Sequence, residues 1–167
     1  MIDEKGYFSN NTTYFIVSGD WYLVGVLNSK YALEYMKGTS SVLGDENKGG
    51  RLRFFGQFLE TLPIPNAPQA ERKAVAKLAE QAQSLHTQRR KRVEKFLRDI
   101  GIEPAESTSR NPLEKPWSLT VEEFTRQMGR DSLAVFKSVR EETLSVTEEI
   151  VKVEGEIDER VKSLYGV

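Results

Sequence analysis

The stretch Lys48-Gly49-Gly50-Arg51-Leu52-Arg53-Phe54-Phe55 decides whether this chain is read with or without a sheet. From Arg51 to Phe55 polar and apolar residues alternate, as they should in a half-buried strand. Leu52 and Phe54 would face in, and Arg51 and Arg53 out. Tyr14-Phe15-Ile16-Val17, aromatic and β-branched, reads as a further strand. Between the two lies a helical pattern from Trp21 to about Lys37, with Asp20 as its N-cap and Gly38 as its stop. Its apolar residues Leu23, Val26, Leu27, Tyr31 and Tyr35 sit near helical spacing and are expected to pack on the sheet. Thr39 to Gly50 is a polar loop. Gln57 to Ile64 holds a short helix or bend before Leu62-Pro63-Ile64-Pro65, whose prolines argue against a central strand. The expectation is an α+β fold: a small mixed α/β domain over residues 1–66, followed by a long antiparallel helical hairpin over 67–167.

The second half supports the hairpin by its periodicity. Asn66 and Pro68 open a helix running to about Ile100, closed by Gly101. Val75, Leu78, Ala82 and Leu85 follow 3-4-3 spacing. Arg89 and Arg92 interrupt the seam before Val93, Phe96 and Ile100 resume it. Residues 101–118 carry three prolines and a Ser-Thr-Ser run and read as a linker. Thr120-Val121-Glu122-Glu123 is a capping box for a short helix ending near Gly129. A last helix from about Ser132 to Tyr165 keeps Phe136, Val139, Thr143, Val146, Ile150, Val153 and Ile157 in heptad-like alternation.

Composition bounds the chemistry. The chain has 167 residues, 38% hydrophobic and 29% charged, with no cysteine and one histidine, His86. Zinc knuckles, disulfides and thiol catalysis are therefore excluded. A multi-histidine metal centre is excluded too. No apolar run approaches the ~20 residues a membrane helix needs, and no signal peptide opens the chain. A cytoplasmic location without membrane contact is the expectation. The net charge of −1 conceals an asymmetry: 67–100 holds nine cations against four anions, and 101–167 holds nine cations against fourteen anions. A global basic footprint for nucleic acid is absent, so any DNA contact must be local.

The local candidates sit around the glycine pair. Two glycines free the backbone, and Lys48, Arg51 and Arg53 bring three cations to it, which suits approach to a polyanion. Arginine bridges guanine O6 and N7 or clamps phosphate, and lysine more often meets phosphate. Asn47, Ser40 and Ser41 are small polar groups able to reach base edges, although ordinary turn chemistry accounts for them equally well. Arg89-Arg90-Lys91-Arg92 points in all directions around its helix and fits a solvated face paired to Glu148, Glu149 or their neighbours better than a nucleic-acid patch. No Gly-Lys-Ser/Thr follows Gly49-Gly50, so a phosphate-cradling loop is not expected.

Four elements occur in order: Gly6–Ile16, the Tyr22-Leu23-Val24-Gly25-Val26-Leu27-Asn28-Ser29-Lys30 run, the basic-aromatic Gly-Gly loop, and Leu62-Pro63-Ile64-Pro65. Together they resemble the TaqI-like C-terminal specificity domain, the target-recognition module of type IIG restriction-modification enzymes and related adenine-specific DNA methyltransferases. The ending Glu156–Val167 also looks like a segment those enzymes carry after the module. The resemblance implies an N-terminally truncated, non-catalytic module that binds double-stranded DNA beside a methyltransferase domain of the same parent polypeptide. The parent would use S-adenosylmethionine, and Mg if it also cleaves. This chain has neither a methyl-donor glycine motif nor an Asn-Pro-Pro-Tyr-type motif, so no cofactor or metal ligand is expected in it. The rival reading is a helical protein–protein interaction module without DNA binding, with self-association through the long helices left open.

Overall fold

The computed structural model describes residues 16, 18–39, 42–43, 51–52, 56–105 and 111–166, and for 42, 43, 51, 52, 56 and 58 the backbone alone. Among the described residues six α-helices dominate: α1 (Trp21–Leu27), α2 (Lys30–Thr39), α3 (Gly56–Glu60), α4 (Gln69–Asp99), α5 (Val121–Met128) and α6 (Leu133–Tyr165). Two two-residue strands, β1 (Val42–Leu43) and β2 (Arg51–Leu52), pair antiparallel with Val42 opposite Leu52 and Leu43 opposite Arg51.

The α+β expectation is overturned. Helix makes up 77% of the interpretable chain. The β1–β2 pair is the whole of the strand structure among the described residues and forms no layer. Of the expected strand at Tyr14–Val17, Ile16 alone is described; it is exposed and outside any strand. The physical reason lies in what covers the first helices. Their apolar residues find a helix rather than a sheet: Gly25 of α1 meets Val75 and Ala79 of α4, while Tyr31 of α2 meets Tyr165 of α6 with ring centroids 6.2 Å apart.

The expected single helix from Trp21 to Lys37 is broken. Asp20 caps α1 as anticipated, its Oδ1 accepting from the Tyr22 N–H at 2.9 Å. At its end Asn28 Nδ2 donates to the Val24 carbonyl at 2.8 Å, and the buried Ser29 donates its hydroxyl to Val26 at 2.7 Å. Side chains that bond their own backbone offer it an alternative to the helical ladder, and α2 starts anew at Lys30.

The chain divides into two compact units: Met1–Gln81 with Val153–Val167, and Ala82–Lys152. In the first, Tyr22, Val26, Ala32, Met36, Leu62 and Val75 are buried together with Val153, Ile157 and Val161 of α6. Arg160 Nη1 reaches Glu71 Oε2 at 3.0 Å, and Tyr165 Oη donates to the Pro63 carbonyl at 2.6 Å. These contacts make the start of α4 antiparallel to the end of α6. In the second unit Arg89 Nη1 donates to Thr147 Oγ1 at 3.0 Å, Arg92 pairs with Glu142 at 3.6 Å, and Phe96 faces Phe136. The pairing there is antiparallel as well.

The second unit has an aromatic core. Phe124 of α5 stacks on Phe136 of α6 with centroids 4.1 Å apart and planes 2° from parallel, and both rings lie tilted against Phe96. Leu113, Leu119, Val93, Leu97 and Val139 complete the buried cluster. Two 3-10 turns, Pro112–Glu114 and Pro116–Ser118, deliver Leu113 and the buried Pro116 to it. Asn111 caps the first turn by accepting from Leu113 N–H at 3.0 Å. Gly101 follows α4 with φ 77°, a left-handed conformation that a Cβ would strain.

The capping box of α5 forms as expected. Glu123 N–H donates to Thr120 Oγ1 at 3.2 Å, and Thr120 N–H donates to Glu123 Oε2 at 2.8 Å. The Thr120 backbone donor, then its hydroxyl, hold the Glu123 carboxyl below its ordinary pKa. Replacing Thr120 with alanine is expected to lower stability by about 1 kcal/mol, read from urea denaturation. A carboxylate with a lowered folded pKa stabilises above its unfolded pKa and loses that contribution as pH falls through the folded value. The stability gap between the parent chain and Glu123→Ala, which removes the carboxylate itself, should therefore narrow on acidification. A gap independent of pH would refute the reciprocal cap.

Candidate nucleic-acid interface

The cations singled out in the sequence fall between α2 and α3 in chain order. Thr39 ends α2, with its Oγ1 donating to the Tyr35 carbonyl at 2.9 Å. Arg51 belongs to β2, and its backbone pairs with Leu43. Its side chain lies outside the described residues, as do Ser40, Ser41, Asn47, Lys48 and Arg53 in full. The inward direction expected for Leu52 and Phe54 and the outward one expected for Arg51 and Arg53 also fall outside them.

Around that stretch the described residues form a set of long-range ties within the first unit. Tyr35 Oη donates to the Thr61 carbonyl at 2.8 Å and lies 3.1 Å from Thr61 Oγ1. Tyr22 Oη donates to the Pro65 carbonyl at 2.7 Å. Asp158 Oδ1 accepts from the Lys30 N–H at 2.8 Å, across 128 positions of sequence. Burial pushes the phenols of Tyr22 and Tyr165 upward in pKa, so both remain protonated donors. Arg72 stacks on the Tyr22 ring, its guanidinium carbon 4.3 Å from the centroid, and pairs with Asp20. Three of the sequence elements behind the family resemblance thus meet: Tyr22–Lys30, Leu62–Pro65 and the ending from Glu156.

No family model, curated protein or solved structure matches the chain.

The cation run of α4 is partly absorbed into the second unit. The Arg89 guanidinium lies over the Trp117 ring at 4.3 Å and donates to Thr147, filling the gap between Leu85 and Val93. Arg90 pairs with Glu94 of its own helix at 3.5 Å, and Arg92 with Glu142. Lys91 and Arg98 are exposed. Trp117 had no signal in the sequence beyond its size and its proline neighbour. An open groove of about 420 Å³ runs along Arg92, Lys95, Phe96, Asp99, Val135 and Glu142. Its charged walls are tied up as Arg92–Glu142 and Lys95–Asp99, which leaves no converging donor set. Among the described residues no helix is long and apolar enough to cross a membrane.

Proposed function

We propose that this chain is a DNA-reading module that holds a duplex target for a methyltransferase domain in the rest of its polypeptide. Lys48, Arg51 and Arg53 would meet the DNA, with Asn47, Ser40 and Ser41 beside them. The extrusion and methylation of an adenine would belong to the other domain. One observation carries the reading. Tyr22 donates to Pro65, Tyr165 donates to Pro63, and Lys30 donates to Asp158, three bonds that join motifs up to 128 positions apart. Those are the motifs on which the resemblance to a specificity domain rests. Their mutual packing gives the resemblance a structural unit to belong to.

The test is selection of duplexes from a randomised library by the 167-residue chain, followed by sequencing and affinity measurement across salt. Enrichment of a motif and a linear fall of log affinity with log salt are expected. Replacing Arg51 or Arg53 with alanine should cost about 1–3 kcal/mol and relax one position if the residue touches a base edge. A residue on phosphate should instead weaken all sequences alike and lower the salt slope by about one unit, the pattern expected for Lys48→Ala. A folded K48A/R51A/R53A chain that selects the same motif with the same salt slope would remove the loop from the interface. A chain that selects nothing would favour the second reading, a protein-docking module. That reading has the support of two exposed apolar residues on α6, Val135 and Val151.

A further inference from the structure

We propose that the outward face of α4 in the second unit, carried by Lys91, Lys95 and Arg98, is a phosphate-contact surface that holds the backbone of a DNA duplex without reading its bases. The inference rests on the DNA-binding reading above and adds to it a contact that carries no sequence information.

Residues 89–99 hold six cations against two anions, Glu94 and Asp99. The structure sorts the six by helix face. Arg89 turns in over Trp117 and donates to Thr147. Arg92 reaches across to Glu142 of α6, and Arg90 pairs with Glu94 of its own helix. Lys91, Lys95 and Arg98 are left at i, i+4 and i+7, the spacing that stacks side chains on one stripe of a helix. All three are exposed. Lys91 and Arg98 make no ion pair or hydrogen bond among the described residues. Lys95 stands 3.7 Å from Asp99, with its side chain 80% exposed, a pairing that water screens and that a phosphate can replace. Toward the start of α4 the same stripe continues through Gln88 and Ser84, both neutral and exposed. Glu94 and Asp99 flank the stripe, and no carboxylate stands on it from Ser84 to Arg98.

The chemistry of the stripe selects its occupant. Three cations spread over about 10.5 Å of helix, a length on which a duplex carries about six backbone charges. Lysine presents a compact charge on a flexible stem, which suits a phosphate and not the fixed geometry of a base edge. No aromatic side chain stands on the stripe to stack on an unpaired base. No apolar side chain stands on it either, so a protein partner finds none of the buried anchors that carry most interfaces. The chain as a whole has a net charge of −1. Its attraction to DNA therefore has to come from local groups such as this one, where cations gather on one side of a helix with the anions turned away.

The experiment compares the full chain with K91A/K95A/R98A and with R126A/R130A/K137A, which removes three exposed cations elsewhere in the same unit. Measured for each are the affinity for a duplex selected by the parent chain and for a scrambled one across salt, the melting temperature, and sedimentation without DNA. K91A/K95A/R98A is expected to lower the slope of log affinity against log salt by about two to three units. It should weaken both duplexes by the same factor and leave the selected motif unchanged. K91A and R98A alone should each lower the slope by about one unit. The melting temperature should stay near that of the parent, since alanine is the better helix former at these exposed positions. The control variant should keep the parent slope. An unchanged slope in K91A/K95A/R98A, or an equal fall in the control, would overturn the proposal. A salt-sensitive self-association lost in K91A/K95A/R98A, with duplex binding intact, would assign the face to a second copy and overturn it as well. The two readings fail separately. A chain that selects no motif yet loses slope in K91A/K95A/R98A keeps the phosphate surface and loses the sequence reading. A chain that selects a motif with its slope unchanged does the reverse. A chain that binds no duplex overturns both.

Discussion

Replacing Phe124 with alanine is expected to destabilise the chain by about 3–5 kcal/mol, the range for removing a buried ring. Phe124 is fully buried and is the one residue of α5 in the core. Its ring stacks on Phe136 at 4.1 Å and leans on Phe96 at 6.2 Å, so its loss opens a cavity with aromatic walls on two sides. The walls belong to long helices that cannot collapse inward without moving many other contacts, which keeps the cavity term large. Urea denaturation followed by circular dichroism and, in a Trp21→Phe background, by Trp117 fluorescence would measure it. Trp117 packs against the same cluster, so its signal reports the second unit directly. Val151→Ala supplies the control: Val151 is 64% exposed and its truncation should stay within about 0.5 kcal/mol. A cost for F124A below about 1 kcal/mol would mean that α5 does not pack where it is described.

How much of this was legible in the sequence varies by element, and the reasons are physical. In α6, Phe136, Thr143, Ile150 and Ile157 recur at seven residues, with Val139, Val146 and Val153 between them, and all are buried. A regular seam over many turns can hardly be read as anything else. The buried residues of α4 include Ala79 and Leu97 in addition to the expected Val75, Ala82, Leu85, Val93 and Phe96, while the expected Leu78 is only half-buried. Its interruption at Arg89 was visible, but its filling was not, because the partner Trp117 sits on a 3-10 turn without periodicity. The sheet was overread. Alternation across Arg51–Phe55 is a five-residue signal that cannot tell how far pairing extends, and the apolar faces of α1 and α2 were assigned to a sheet when helices cover them. Of the candidate site, the residue types were legible and their supports were not. Nothing in spacing joins Lys30 to Asp158 or Tyr35 to Thr61, since each bond closes a long loop of sequence.

Gly25→Val is expected to cost about 3 kcal/mol, at the upper end of the overpacking range, and to unfold the first unit preferentially. A Cβ built at Gly25 would stand 2.6 Å from Val75 Cγ1, well inside van der Waals contact, and 3.5 Å from both Ala79 Cβ and the Val75 carbonyl oxygen. Val75 is itself fully buried and cannot swing into solvent. A valine adds two more carbons beyond that Cβ, so α1 must move away from α4. That movement pulls on the Tyr22–Pro65 hydrogen bond and on the Arg72–Tyr22 stack, both of which depend on the same approach. The gain in helix propensity over glycine, below about 1 kcal/mol, is too small to compensate. Val75→Ala should partly rescue the variant by removing the clashing methyl groups. The double-mutant cycle should give a favourable coupling of about 0.5–3 kcal/mol. Additivity of the two substitutions in thermal and urea denaturation would show that α1 does not lie on Val75. In that case the motif at Tyr22–Lys30 would not be seated on α4 at all.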